Sequence, residues 1–161
     1  PAVPFGHGLS YASFEWGTPK VNGSQSTDLS SGIVVEVDVT NTSERSGTEV
    51  VQLYISPPKS TLHRPPIELK GYAKLALEPG ETKTASITLN FRSFAYFDPG
   101  DQFYNTLDAN SPVPRETGSR RTEPGWYVEP GVYDLVVARS ATSHHAVVEW
   151  ELTGEENYQQ P

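Results

Sequence analysis

Two acidic pairs, Asp98 with Asp101 and Glu155 with Glu156, are the residues whose spacing first suggests chemistry. Two carboxyl groups flanking a glycosidic bond can hydrolyse it when an apolar surrounding raises the pKa of one of them. Both pairs read as polar turn or tail sequence in which nothing would raise a pKa, so a solvated face is expected. Asp98-Pro99-Gly100-Asp101 also lacks the alternating acids of a dedicated calcium loop. His144 and His145 are adjacent, and neighbours on a strand point to opposite faces, so they are poorly placed to chelate one ion. His63 lies far from them in sequence. Serine, histidine and aspartate all occur, yet no Gly-x-Ser-x-Gly elbow does. These residues give no catalytic group, no metal site and no cofactor site.

The aromatic residues are the stronger candidates. Phe103, Tyr104, Trp126 and Tyr127 lie in or beside an aperiodic stretch, 98–125, rich in Pro, Gly, Asp, Asn, Arg and Thr. Long aperiodic loops in compact domains are commonly functional or disordered. An exposed aromatic face can dock a sugar ring or a lignin-like phenolic. The competing reading packs Trp126 and Tyr127 onto their own domain or a neighbouring one, with alternation burying one of the two. Trp16 and Trp150 read as core or interdomain contacts. In the stretch Pro4-Phe5-Gly6-His7-Gly8-Leu9-Ser10-Tyr11, the glycines permit turns where a chain passes between domains. Phe5, His7 and Tyr11 are expected interdomain contacts.

These residues must be positioned by strands. Ile33, Val35, Val37 and Val39 alternate with Val34, Glu36, Asp38 and Thr40, the period of a half-buried strand. Val51, Leu53 and Ile55 repeat the pattern, as do Leu69 to Leu77, Ala85 to Leu89, Tyr133 to Val137 and Val148 to Leu152. Turn sequences separate them, among them Glu78-Pro79-Gly80-Glu81 and Glu129-Pro130-Gly131. With an extended Tyr11–Val21, the count is about seven strands, an all-β immunoglobulin-like sandwich. Glu68 and Lys70 are expected to point outward. The expected organisation is a linker over 1–10, a sandwich over 11–154 with 98–125 as a long loop, and a polar tail over 155–161.

Composition narrows the partners. The net charge of -8 argues against nucleic acid and anionic membrane surfaces, which both call for basic patches. No apolar run approaches the roughly 20 residues needed to cross a bilayer as a helix. The absence of cysteine excludes disulfides and thiolate metal sites. Asn22-Gly23-Ser24 and Asn41-Thr42-Ser43 are N-glycosylation triplets, compatible with a secreted protein.

The Pro4–Tyr11 block resembles the segment of family 3 glycoside hydrolases that leads into their C-terminal fibronectin type III-like domain. Four further blocks agree in order: Val39-Thr40-Asn41-Thr42 with Gly47–Ile55, Arg64–Tyr72, Leu77–Glu81, and Trp126–Gly131. The resemblance implies a fibronectin type III-like sandwich belonging to a secreted, extracellular β-glucosidase. It also implies that the catalytic carboxyl groups reside in other domains of that enzyme. No catalytic residue transfers to this chain. The implied role is that of a non-catalytic accessory domain whose partners are the catalytic domains. The alternative is a module that adsorbs polysaccharide or lignin through Trp126, Tyr127, Phe103 and Tyr104.

Overall fold

The computed structural model describes residues 3–58, 62, 64–101 and 121–160. Among the described residues the strands are β1 (Phe14–Trp16), β2 (Lys20–Gly23), β3 (Ile33–Asn41), β4 (Gly47–Ser56), β5 (Glu68–Leu77), β6 (Thr82–Leu89), β7 (Tyr96–Asp98), β8 (Gly125–Val128), β9 (Gly131–Ser140), β10 (Ser143–Leu152) and β11 (Asn157–Gln159). One short helix, α1 (Phe91–Phe94), follows β6.

Two antiparallel sheets face each other. In the first, β3 pairs with β6 along one edge and with β1 and β2, end to end, along the other. The second runs β10-β9-β4-β5. Alternation supplies the core between them. Ile33, Val35, Val37 and Val39 of β3 meet Val51, Leu53 and Ile55 of β4 and Tyr133, Leu135 and Val137 of β9. Burying each such aliphatic side chain contributes about 1.5–3 kcal/mol. A third sheet, β11-β8-β7, closes one end of the sandwich.

The all-β sandwich is as expected, and several details differ. The extended Tyr11–Val21 is broken at Gly17-Thr18-Pro19 into β1 and β2. Part of the expected tail is a strand, since β11 pairs with β8 through Tyr158 opposite Tyr127. Of the expected loop 98–125, Asp98 ends β7 and Gly125 begins β8. Residues 102–120, which include Phe103 and Tyr104, lie outside the described residues, as does His63.

The orientation of Glu68 and Lys70 is reversed from the expectation. The pairing of β4 with β5 shifts register between Leu53 and Tyr54, so that Leu53 opposes Gly71 while Tyr54 opposes Leu69. That bulge inverts the alternation beyond it. Leu69 is therefore exposed, while the Lys70 and Glu68 side chains keep only 16% and 21% of their exposure.

Gly71 sits where β5 closes against β6. A Cβ at this position would come within 2.5 Å of Ile87 Cγ2. Gly71→Val is accordingly expected to destabilise the chain by about 1–3 kcal/mol through overpacking. Urea unfolding would check it, and an unchanged midpoint would mean that the two sheets can part there freely.

Candidate functional site

The Pro4–Tyr11 segment is pinned to the sandwich by its backbone and leaves its large side chains in solvent. Ala141 N donates to Phe5 O at 3.0 Å, and Gln52 Nε2 donates to Gly6 O at 3.1 Å. Gly6 has φ +78, and a Cβ there would lie 2.2 Å from Gln52 Oε1, so only glycine allows this approach. Gln52 Nε2 also donates to Arg139 O, and Tyr54 Oη donates to Gln52 Oε1 at 2.6 Å, which holds the amide in place. Phe5 is 67% exposed, Leu9 95% and Tyr11 96%. His7 is also exposed, its backbone N–H closing a turn onto Pro4 O.

Beneath this segment lies a cavity of about 510 Å³ lined in part by Gly8, Leu9, Phe14, Glu49, Gln52 and Arg139. Burial pushes the Glu49 carboxyl up, and this outweighs the Arg139 guanidinium 3.6 Å away and the neighbouring Trp16 indole. Arg139 in turn lies 4.8 Å over the Trp16 ring and donates to Phe14 O.

The aromatic candidates separate into two groups. Tyr127 is buried, donates from its hydroxyl to Glu123 O at 2.7 Å, and lies beneath the Arg121 guanidinium. It supports the third sheet and does not offer a ring face to a ligand, contrary to the expectation of an aromatic platform shared with Trp126. Trp126 is half-buried, with the Phe97 ring 5.4 Å away and the Arg92 guanidinium 4.0 Å from its centroid. Phe97 is 41% exposed. These residues wall a second cavity, of about 480 Å³, whose charged lining is Arg64, Glu68, Lys70 and Arg92.

In that cavity Arg64 Nε donates to Glu68 Oε1 at 3.0 Å, and Lys70 Nζ reaches Glu68 Oε2 at 2.7 Å. Burial pushes the Glu68 carboxyl up, but Lys70 and Arg64 together outweigh it and hold the group below the usual glutamate range. A depressed folded-state pKa contributes stability above the unfolded pKa, and that contribution is lost as pH falls through the folded value. Glu68→Gln is therefore expected to lower the unfolding midpoint at neutral pH, with the deficit shrinking below about pH 4. A deficit that stayed constant across that range, followed by urea titration, would contradict the ionic account.

Sequence reasoning missed the densest charged group in the described structure. Asp98, expected to be solvated, is 0% exposed. Arg121 Nη1 donates to Asp98 Oδ2 at 3.1 Å, and Arg121 Nη2 donates to Glu129 Oε1 at 2.9 Å and to Glu156 Oε2. Glu129 also accepts from Tyr96 Oη at 2.8 Å. Burial, with that carboxylate beside it, pushes the Tyr96 phenol far up. The structure alternates Tyr96, Phe97 and Asp98 in, out, in, which puts Asp98 on the buried face with Tyr96, but a three-residue run with two adjacent aromatics carries no legible period. Glu155 and Glu156 do not face each other as a catalytic pair, because Glu156 is committed to Arg121.

The remaining candidates are quickly placed. Asn41 is fully buried, donating from Nδ2 to Arg45 O and Leu77 O and accepting from Ser43 N. This contradicts the expectation that it could carry a glycan, because its amide is needed inside the turn. Asn22 is exposed on β2. His145 Nε2 lies 2.8 Å from Gly17 O with its ring 5.3 Å from Trp16, while His144 Nε2 lies near Ala141 O.

Comparison with known proteins fits this geometry. Residues 49–141 match the fibronectin type III-like domain family. A β-glucosidase of Rhizobium radiobacter is 38% identical over 148 residues, covering 92% of this chain and 15% of that protein. The thermostable β-glucosidase B of Acetivibrio thermocellus is 39% identical over 141 residues, covering 88% of this chain and 16% of that protein. Among solved structures, β-glucosidase 3B of Thermotoga neapolitana superposes with a TM-score of 0.77 at 28% identity, over 100% of this chain and 18% of that one. The GH3 β-glucosidase of Bifidobacterium adolescentis superposes at 0.70 and 33% identity, over 92% of this chain and 18% of that one. The chain thus spans 15–18% of the length of these relatives. On the extent of these matches, the chain belongs to the fibronectin type III-like domain family, in the form that occurs in family 3 β-glucosidases.

Proposed function

We propose that this chain is a non-catalytic accessory domain of a secreted family 3 β-glucosidase, packing on the catalytic domains of the same polypeptide and stabilising them. The observation that carries the reading is the Pro4–Tyr11 segment. Its backbone is fixed by Gln52 and Ala141, yet Phe5, Leu9 and Tyr11 stay in solvent. Covering each of those side chains is worth about 1.5–3 kcal/mol. A contact of that kind suits a neighbouring domain on the same chain. The test is turnover of an aryl β-glucoside. The isolated chain is expected to give none while the full-length protein hydrolyses it, and saturable turnover by the isolated chain would overturn the reading.

A second reading is supported by Phe97, Trp126 and Arg92 on the wall of the second cavity. They offer apolar and cationic contacts to a polysaccharide or lignin surface. Phe97→Ala should then reduce retention of the isolated chain on that polymer. Retention no greater than that of an unrelated acidic protein would dismiss this reading.

A further inference from the structure

We infer that the outer face of the β10-β9-β4-β5 sheet is the seat for the rest of the parent enzyme. The inference rests on the accessory-domain reading above and names its contact surface.

The two sheets differ on their outer surfaces. β3 and β6 turn Glu36, Asp38, Thr40, Thr84, Ser86 and Thr88 outward. Thr84 Oγ1 donates to Asp38 Oδ1, and the Thr40 and Thr82 hydroxyls are bonded at 2.7 Å. That is the ordinary solvated face of a sandwich. The opposite sheet instead carries an apolar row across all of its strands. Val147 opposes Val136, Val136 opposes Tyr54, and Tyr54 opposes Leu69. The neighbouring row runs from Ala138 through Gln52 to Tyr72. In the middle, Tyr54, Val136 and Ala138 form a separate apolar cluster that the chain itself already buries, with Ile67 and Ala141 against it, so the open part of this row is its margins. At the margins Val147 is 53% exposed, Leu69 38% and Tyr72 68%. A sandwich requires one apolar face per sheet, and a second one marks a contact.

The occupant follows from where the Pro4–Tyr11 segment lies. Its hydrogen bonds go to Gln52 and Ala141, at the edge of this same cluster. The polypeptide leading into the sandwich therefore crosses this face, and a domain folded ahead of it is tethered beside it. In the relatives, the region matching this chain is only 15–18% of the protein, so ample chain lies outside it to cover the face. The next outward row holds Glu149 opposite Asp134, an acidic rim that calls for basic groups around an apolar patch on the partner surface.

Hydroxyl-radical footprinting of the full-length protein against the isolated chain tests this. Tyr72 is the native reporter, and Ser86→Tyr supplies a matching reporter on the polar sheet. Labelling of Tyr72 is expected to fall several-fold in the full-length protein, with the tyrosine introduced by Ser86→Tyr labelled equally in both. Equal labelling of Tyr72 in the two proteins, or protection confined to the introduced tyrosine, would overturn the inference. Aryl-glucoside turnover by the same full-length sample separates the two ideas. Protection without turnover sinks the β-glucosidase reading and keeps the face, whereas turnover without protection sinks the face alone.

Discussion

Replacing Arg121 with methionine is expected to cost about 3–5 kcal/mol of unfolding free energy, the range for breaking a buried ion pair by removing one partner. The guanidinium meets a carboxylate next to each strand of the third sheet: Asp98 at the end of β7, Glu129 after β8 and Glu156 before β11. It also lies 4.4 Å from the centroid of Tyr127, which β8 contributes. The Arg121 side chain keeps 14% of its exposure and Asp98 none, so solvent screens this group far less than an open surface pair. The bonded carboxylates hold the guanidinium charged, driving its pKa above the usual arginine value against the opposing effect of burial. Methionine fills similar volume without the charge and leaves several carboxylates crowded together. Arg121→Lys keeps the charge and loses the planar fork, so it should fall between the two. Urea unfolding followed by tryptophan fluorescence would read the effect, with Trp126 of β8 as the local reporter. A loss below about 1 kcal/mol would place the cluster with ordinary surface salt bridges.

Phe94→Ala is the second large effect, at about 3–5 kcal/mol for a cavity left by a phenyl ring. Phe94 is 0% exposed and meets Tyr133 edge to face at 5.2 Å. Tyr133 is itself buried and donates to Glu129 O at 2.8 Å, and burial pushes its phenol up to about 12. The Phe94 carbonyl accepts from Arg64 Nη1 at 3.0 Å, so α1 joins the main core to the charged lining of the second cavity. Collapse around the missing ring would disturb both. Tyr72→Ala is the matched control in the isolated chain, with an expected change within about 0.5 kcal/mol for an exposed side chain. A Phe94→Ala loss no larger than that of Tyr72→Ala would mean that α1 is not part of the cooperative core.

The long strands were legible because one face of each is buried. β3, β6 and the second half of β10 alternate cleanly, while β4 is buried on both faces from Val51 to Ile55, and the turns carry the expected Pro and Gly. The three-residue strands β1, β7 and β11 are too short for a period to register. The bulge at Leu53 and Tyr54 was illegible for a different reason: an extra residue leaves no mark in hydropathy while reversing every side chain beyond it. Asp98 and Asn41 show the limit on the polar side. Each looked like a turn residue by type, and each is buried because its partners arrive from distant sequence: Arg121 for Asp98, and the Leu77 carbonyl for Asn41. Among the aromatic candidates, alternation called for one of the adjacent pair to be buried without saying which, and the structure buries Tyr127.

Thermal inactivation of the proposed parent β-glucosidase carrying Leu9→Ser and Tyr11→Ser tests the central claim most directly. Both side chains are almost fully exposed in the isolated domain, so neither change should alter its own unfolding. The account predicts that β-glucosidase kcat/KM at low temperature is unchanged while the inactivation half-life at elevated temperature falls several-fold. An unchanged half-life, or a loss of kcat/KM with stability intact, would contradict a stabilising accessory domain seated through this segment.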